Sequence, residues 1–196
     1  MVAAGFVLAG GKSRRMGRDK ALLPHHGRPL IAHVAGTVER GLGSKAEYGS
    51  GPVAIVGHPD RYGDLGYRVL ADIHPNCGAL GGIVTALSAS TTDWNLVVAC
   101  DMPNLTEADL ARLLDRAAAS GGRCIAGRGP SGEAEPLCAV YHRDCLPIFT
   151  RALRAKRFKM REILPELEPD LVDLPAESLA NLNTPHEWMA FEEQLG

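Results

Sequence analysis

Apolar positions along this chain fall into two alternating rhythms. Short runs at residues 6–9, 52–56, 67–70 and 94–99 read as buried strands. The last, Trp-Asn-Leu-Val-Val-Ala, is the most continuous, as expected of a central parallel strand covered on both faces. Between the runs, apolar residues recur at helical spacing. Leu30, Ile31, Val34 and Val38 follow Pro29, which suits a first helical turn. Ile83, Val84 and Leu87 follow the glycine-rich string 78–82, and Leu110, Leu113 and Leu114 follow Thr106, an N-cap with Glu107 and Asp109 in the first turn. Residues 41–51 are rich in Gly and Ser and predict a flexible surface connection.

The second half is less regular. Gly121-Gly122 closes a helix, residues 123–126 and 136–141 predict two more strands, the second of them antiparallel, and residues 127–134 form a Gly-rich loop. Helical spacing returns at 146–153. At the end, Thr184, Pro185 and Glu187 spell a capping box ahead of a helix with Trp188, Phe191 and Leu195 on its apolar face.

Strands alternating with helices predict an α/β fold. The expectation is one three-layer α/β/α domain over residues 1–196, with a mainly parallel twisted sheet and some antiparallel strand in the C-terminal half. Ligands in such folds bind beyond the carboxyl ends of the strands. Gly10-Gly11, Asp72 and Asp101 each follow a predicted strand, so they are expected along one edge of the sheet.

Composition narrows the class. A chain of 196 residues and 20.9 kDa with 45% apolar residues can bury a real core. Its net charge of −2 gives no general attraction to nucleic acid or anionic membrane. No apolar run approaches the roughly 20 residues of a membrane span, and the N-terminus does not read as a signal peptide. Five cysteines without a C-x-x-C pair read as reduced thiols, and the expected location is cytoplasmic. His25-His26-Gly27 reads as a turn tip, because neighbouring histidines on an extended segment point opposite ways and do not make a metal site.

The chemistry gathers after the first strand. Gly10-Gly11 allows a tight turn with exposed backbone N–H groups, and Lys12, Arg14, Arg15, Arg18 and Lys20 put five cations into nine residues. That is a cradle for a triphosphate. It is neither the dinucleotide fingerprint G-x-G-x-x-G nor a Walker loop. Asp101 is the candidate Mg²⁺ ligand, since Mg²⁺ takes few carboxylates together with phosphate oxygens and water. The plainer reading is that Asp101 caps the turn before Pro103. A second basic run, Arg154, Lys156, Arg157, Lys159 and Arg161, reads as a solvated helix face, with a second anionic ligand as the alternative.

The string Leu8-Ala9-Gly10-Gly11-Lys12-Ser13-Arg14-Arg15-Met16-Gly17-Arg18-Asp19-Lys20 resembles the signature loop of the molybdenum cofactor guanylyltransferases. Asn181-Leu182-Asn183-Thr184-Pro185-His186-Glu187 is similar to the C-terminal motif of the same family. The resemblance implies a Rossmann-like nucleotidyltransferase fold, with a nucleotide-binding half (1–105) and an acceptor-binding half (106–196). It implies transfer of GMP from GTP to the terminal phosphate of Mo-molybdopterin, with Mg²⁺ as cofactor. Molybdoenzymes or other cofactor-biosynthesis proteins stay open as further partners. Catalytic roles fall on Arg15, Lys20 and Asp101, and nucleotide contacts on Leu8, Ala9, Gly10, Gly11, Lys20, Asp72 and Asp101. The D-x-P aspartate that holds the metal falls on Asp101. The acceptor candidates are Asn181, Asn183, Lys156 and Lys159.

Two details bear on the base. Leu-Ala-Gly-Gly and the string Gly78-Ala79-Leu80-Gly81-Gly82 look like the guanylyl branch, whereas cytidylyl relatives tend toward Leu-Ala-Ala-Gly. Against this, the family often has asparagine past the second strand, where this chain has Val56-Gly57-His58. A cytidylyl or sugar-phosphate nucleotidyltransferase, or a nucleotide-binding chaperone without turnover, are the competing readings.

Overall fold

The computed structural model describes residues 1–9, 19–44 and 49–182. β1 (Val2–Leu8) is buried from Ala3 onward. After a 3₁₀ turn (Lys20–Leu22) comes a small hairpin of β2 (Pro24–His25) and β3 (Arg28–Pro29). Its turn places His26 and Gly27 at φ 47° and 76°, the two left-handed residues that a tight two-residue hairpin demands. The expected turn tip is there. α1 (Leu30–Gly43), β4 (Gly49–Val56), α2 (Pro59–Tyr62), β5 (Arg68–Leu70) and α3 (Gly78–Ala89) lead to β6 (Trp94–Ala99). The C-terminal half adds α4 (Glu107–Ala119), β7 (Cys124–Arg128), β8 (Ala134–His142), α5 (Leu146–Arg154), α6 (Met160–Ile163) and β9 (Asp170–Asp173).

Among the described residues, seven strands form one sheet in the order β5-β4-β1-β6-β8-β7-β9. Only β8 runs against the others: it pairs antiparallel with β6 and β7, while β1–β4, β1–β6, β4–β5 and β7–β9 are parallel. Alternate residues of β1 feed two cores. Ala3 and Val7 join the cluster built with Leu30, Ile31 and Val34 of α1 and with Leu110 and Leu113 of α4. Ala4, Phe6 and Leu8 face the cluster built with Leu80 and Ile83 of α3 and with Phe149 of α5. The three-layer expectation holds. From β1 the chain winds outward to β4 and β5, then returns to β6 on the other side of β1, so the strand order reverses beside β1.

Thr106 caps α4 as expected, in a full capping box with Asp109. Pro29 is not in the first helical turn; at ψ 139° it is extended, closing the hairpin ahead of α1. The surface connection expected over 41–51 is shorter than that, because α1 continues to Gly43 with Leu42 buried in the core, and β4 begins at Gly49. Packing of Leu42 outweighs the poor helix propensity of its flanking glycines. The string 78–82 lies inside α3 and does not precede it. The C-terminal capping box at 184–187 lies outside the described residues. No helix among those described is long and apolar enough to cross a membrane.

Candidate functional site

Four parallel strands end at one level. Leu8 is in register with Val56 and with Ala99, and Val56 with Leu70. One more rung continues the level: Ala9 N–H donates to Val56 O (2.9 Å), Gly57 N–H to Leu70 O (2.9 Å) and Cys100 N–H to Leu8 O (3.2 Å). The result is a shelf carrying Leu8, Ala9, Gly57, Asp72 and Asp101, as the strand-end argument expects. Gly10, Gly11 and Arg15 lie outside the described residues.

Lys20 reaches this shelf from the 3₁₀ turn. Its ammonium lies 3.0 Å from Asp101 Oδ2, with the two side chains only 11% and 26% exposed. An ammonium shielded to this degree needs an anionic partner, and Asp101 supplies one. Asp101 is held through its backbone as well, since its carbonyl accepts the N–H of Leu182 (3.2 Å). That bond draws the Asn181 segment up to the metal-ligand candidate from the far end of the chain. Met102 is buried, and Pro103 O lies 3.2 Å from His33 Nε2, which ties the segment after Asp101 to α1. Burial, and after it the Asp101 carboxylate, push the Cys100 thiol up to about 12.

The other candidates are placed differently. Asp72 Oδ1 accepts from His74 N–H (2.8 Å) and lies 3.0 Å from the Thr85 hydroxyl, so one of its oxygens organises the turn into α3. Lys156 sits at φ 56° in the residue that closes α5. Its N–H donates to Leu153 O and that of Arg157 to Ala152 O, the paired bonds of a Schellman end. Lys159 is 81% exposed and pairs with Glu162 (3.1 Å). Arg157 pairs with Glu166 (2.6 Å), and Arg161 with Glu133 (2.8 Å) in the loop before β8. Three of the five cations are thus matched by nearby carboxylates, and the bonds among the described residues that Lys156 and Lys159 make are these local ones. Asn183 lies outside the described residues.

Several shelf residues escaped the sequence reading. Asp19 caps the Lys20 turn, its Oδ1 accepting Ala21 N–H at 3.2 Å. Its Oδ2 accepts from the Tyr62 hydroxyl (2.9 Å) and from Arg61 Nη1 (3.1 Å) on α2. Glu135 stands three residues before Cys138, the partner of Val98, while Asp101 stands three after Val98, so the antiparallel register brings the two acids to one end. Burial, then the Asp101 charge, raise the Glu135 carboxyl despite the N–H of Leu137 that it accepts. No spacing rule on a single chain pairs residues 19 and 62, or 101 and 135.

The MobA-like NTP transferase domain matches residues 5–171, a span that holds the shelf, the Lys20 turn and both basic runs. The chain belongs to the MobA-like NTP transferase family. It is 34% identical over 191 residues to a molybdenum cofactor guanylyltransferase of Xanthomonas euvesicatoria pv. vesicatoria, covering 94% of this chain and 91% of that one. A molybdenum cofactor guanylyltransferase of Pseudomonas entomophila is 30% identical over 186 residues, covering 92% and 93%. Among solved structures, the fold is similar to molybdopterin-guanine dinucleotide biosynthesis protein A of Archaeoglobus fulgidus. There the TM-score is 0.74 at 24% identity, over 100% of this chain and 98% of that one.

Proposed function

We infer that this protein transfers GMP from GTP to the terminal phosphate of Mo-molybdopterin, yielding molybdopterin guanine dinucleotide and pyrophosphate. The observation that carries the reading is the shielded Lys20–Asp101 pair at 3.0 Å. It stands on the strand-end shelf of a MobA-like NTP transferase, where β1 and β6 end in register. Guanylyltransferases lead among the relatives, which supports the choice of base and acceptor.

In this reading an acceptor phosphate oxygen forms a bond to the α-phosphorus of GTP, and the bond from that phosphorus to the bridging oxygen breaks. Such chemistry depends on alignment and charge neutralisation more than on covalent help. Lys20 and Arg15 offset negative charge on the α- and β-phosphates, and the amides of Gly10 and Gly11 hold the triphosphate against Leu8 and Ala9. Asp101 fits a hard divalent ion: it offers carboxylate oxygen at a strand end, Oδ2 faces Lys20, and no described donor engages Oδ1. Mg²⁺ bound there supplies Lewis-acid neutralisation of the phosphates. Asp72 contributes its remaining oxygen to the nucleotide. Asn181, Asn183, Lys156 and Lys159 serve the acceptor, within the division into a nucleotide half and an acceptor half.

Guanine meets the shelf at Val56-Gly57-His58. Gly57 N–H is already committed to Leu70 O, and His58 O accepts the N–H groups of Arg61 and Tyr62. This leaves the Gly57 carbonyl and the His58 N–H to read a base edge. The test is pyrophosphate release with GTP, CTP, ATP and UTP in parallel, with Mg²⁺ and Mo-molybdopterin present. GTP-selective release is expected. A preference for CTP overturns the guanylyl assignment, and tight nucleotide binding with no release points to a chaperone.

A further inference from the structure

We propose that Asp19 is a positioning residue that sets Lys20 on Asp101 and couples the phosphate-binding turn to the segment that follows β4. It rests on the reading of Lys20 given above, because Asp19 acts through that ammonium.

Three bonds converge on one carboxylate. Oδ1 caps the 3₁₀ turn through Ala21 N–H, which fixes the backbone from which the Lys20 side chain departs. The turn closes with Leu22 N–H on Asp19 O and Leu23 N–H on Lys20 O. Oδ2 is gripped from the opposite side by the Tyr62 hydroxyl at 2.9 Å and Arg61 Nη1 at 3.1 Å. Tyr62 is a stiff anchor, being only 2% exposed and packed into the core under α1. Its ring passes so close to Gly57 that a Cβ there would lie 2.7 Å from it and 3.0 Å from Ala9 Cβ. One chain of contacts therefore runs from the end of β4, through Tyr62 and Asp19, to Lys20 and Asp101. A lysine is long and flexible, so its placement depends on how firmly its backbone and its far end are held.

A residue that acts only through Lys20 loses its effect when Lys20 is gone. The experiment is a double-mutant cycle of Asp19→Ala and Lys20→Ala, read by single-turnover pyrophosphate release from GTP with Mo-molybdopterin, alongside thermal melts. Asp19→Ala is expected to slow turnover about tenfold to a hundredfold. Asp19→Asn, which keeps an acceptor for Ala21 N–H, recovers part of that, and Tyr62→Phe slows turnover by roughly threefold to tenfold. In the Lys20→Ala background each of these changes has less than about a twofold effect. Losses that multiply in the double variant overturn the proposal, as does wild-type turnover in folded Asp19→Ala. Should Asp19→Ala fail to fold, Asp19→Asn and Tyr62→Phe run the same cycle with milder perturbation. If Lys20→Ala alone keeps full turnover, both the site reading and this inference fall. If Lys20→Ala is impaired and Asp19→Ala is not, only the inference falls.

Discussion

Two basic clusters in this molecule look alike in sequence, and the residues of each that the structure describes are placed differently. The first leads into Lys20, whose ammonium is shielded, aimed at Asp101 and mounted on a capped turn. The second, Arg154 to Arg161, lies along the end of α5 and the start of α6. There Lys159, Arg157 and Arg161 pair with Glu162, Glu166 and Glu133 in largely exposed positions. Exposed pairs contribute on the order of 0–1 kcal/mol and are screened by salt, whereas a charge withdrawn from water is tightly constrained by its partner. A run of cations does not define a site. Its meaning depends on whether the fold carries it to a strand-end crevice with a carboxylate waiting.

The sharpest way to break this contrast is to remove the shielded pair. Lys20→Ala and Asp101→Ala should each lower turnover at least about a hundredfold, equivalent to roughly 2.7–4 kcal/mol of transition-state stabilisation. Each variant should stay folded by circular dichroism. Near-wild-type kcat in either one would remove the basis for treating the shelf as the reaction centre.

The sequence showed the α/β class, the parallel strands and the shared edge plainly, because period-two and period-3.6 patterns are written in consecutive residues. Asp101 was legible for the same reason: it directly follows the most apolar run. The partners of that residue were not. Lys20 and Asp101 are 81 positions apart, Asp19 and Tyr62 are 43 apart, and only the winding of β1, β4 and β6 about the switch point joins them. The pairings of the basic run 154–161 were not legible either, since the acids it meets, Glu133, Glu162 and Glu166, lie outside the run. Nor does the chain announce that Lys156 is a helix-closing residue in left-handed geometry, a place more often held by glycine.

The histidines offer a gentler handle, one that titrates the shelf side and spares the outer pairs. His25 and His33 stack edge to face with ring centroids 4.2 Å apart, and His26 lies 4.4 Å from His25. Burial, then His33, His26 and Arg28, lower His25 to about 4, and burial lowers His33 too, although its bond to Pro103 O works the other way. Both bind a proton more weakly folded than unfolded. Stability from this cluster is therefore complete above about pH 6.5 and declines as pH falls toward 4, where His25 protonates in the fold. Glu166, by contrast, is shifted down from its ordinary value by the hydrogen bonds from Arg157 and Arg151. Melting temperature should drop between pH 7 and pH 5, and His25→Gln should flatten the drop. Equal pH slopes in the two proteins would remove the cluster from the explanation.

The smallest expected effect tests the outer cluster by itself. Lys159 donates to Glu162 one helical turn along and is 81% exposed, so Lys159→Ala should shift stability by no more than about 0.5 kcal/mol. Lys156→Glu is expected to leave the GTP KM alone as well, because the described structure gives Lys156 no bond to the shelf. What charge reversal at both positions can change is capture of a second polyanion. In the paired variant Lys156→Glu/Lys159→Glu, the KM for Mo-molybdopterin should rise several-fold at low ionic strength, with the difference shrinking as salt is added. An unchanged acceptor KM at low salt would make the run a solvated surface and nothing more. A raised GTP KM would mean instead that the two basic clusters serve one ligand, and the contrast between them would have to be redrawn.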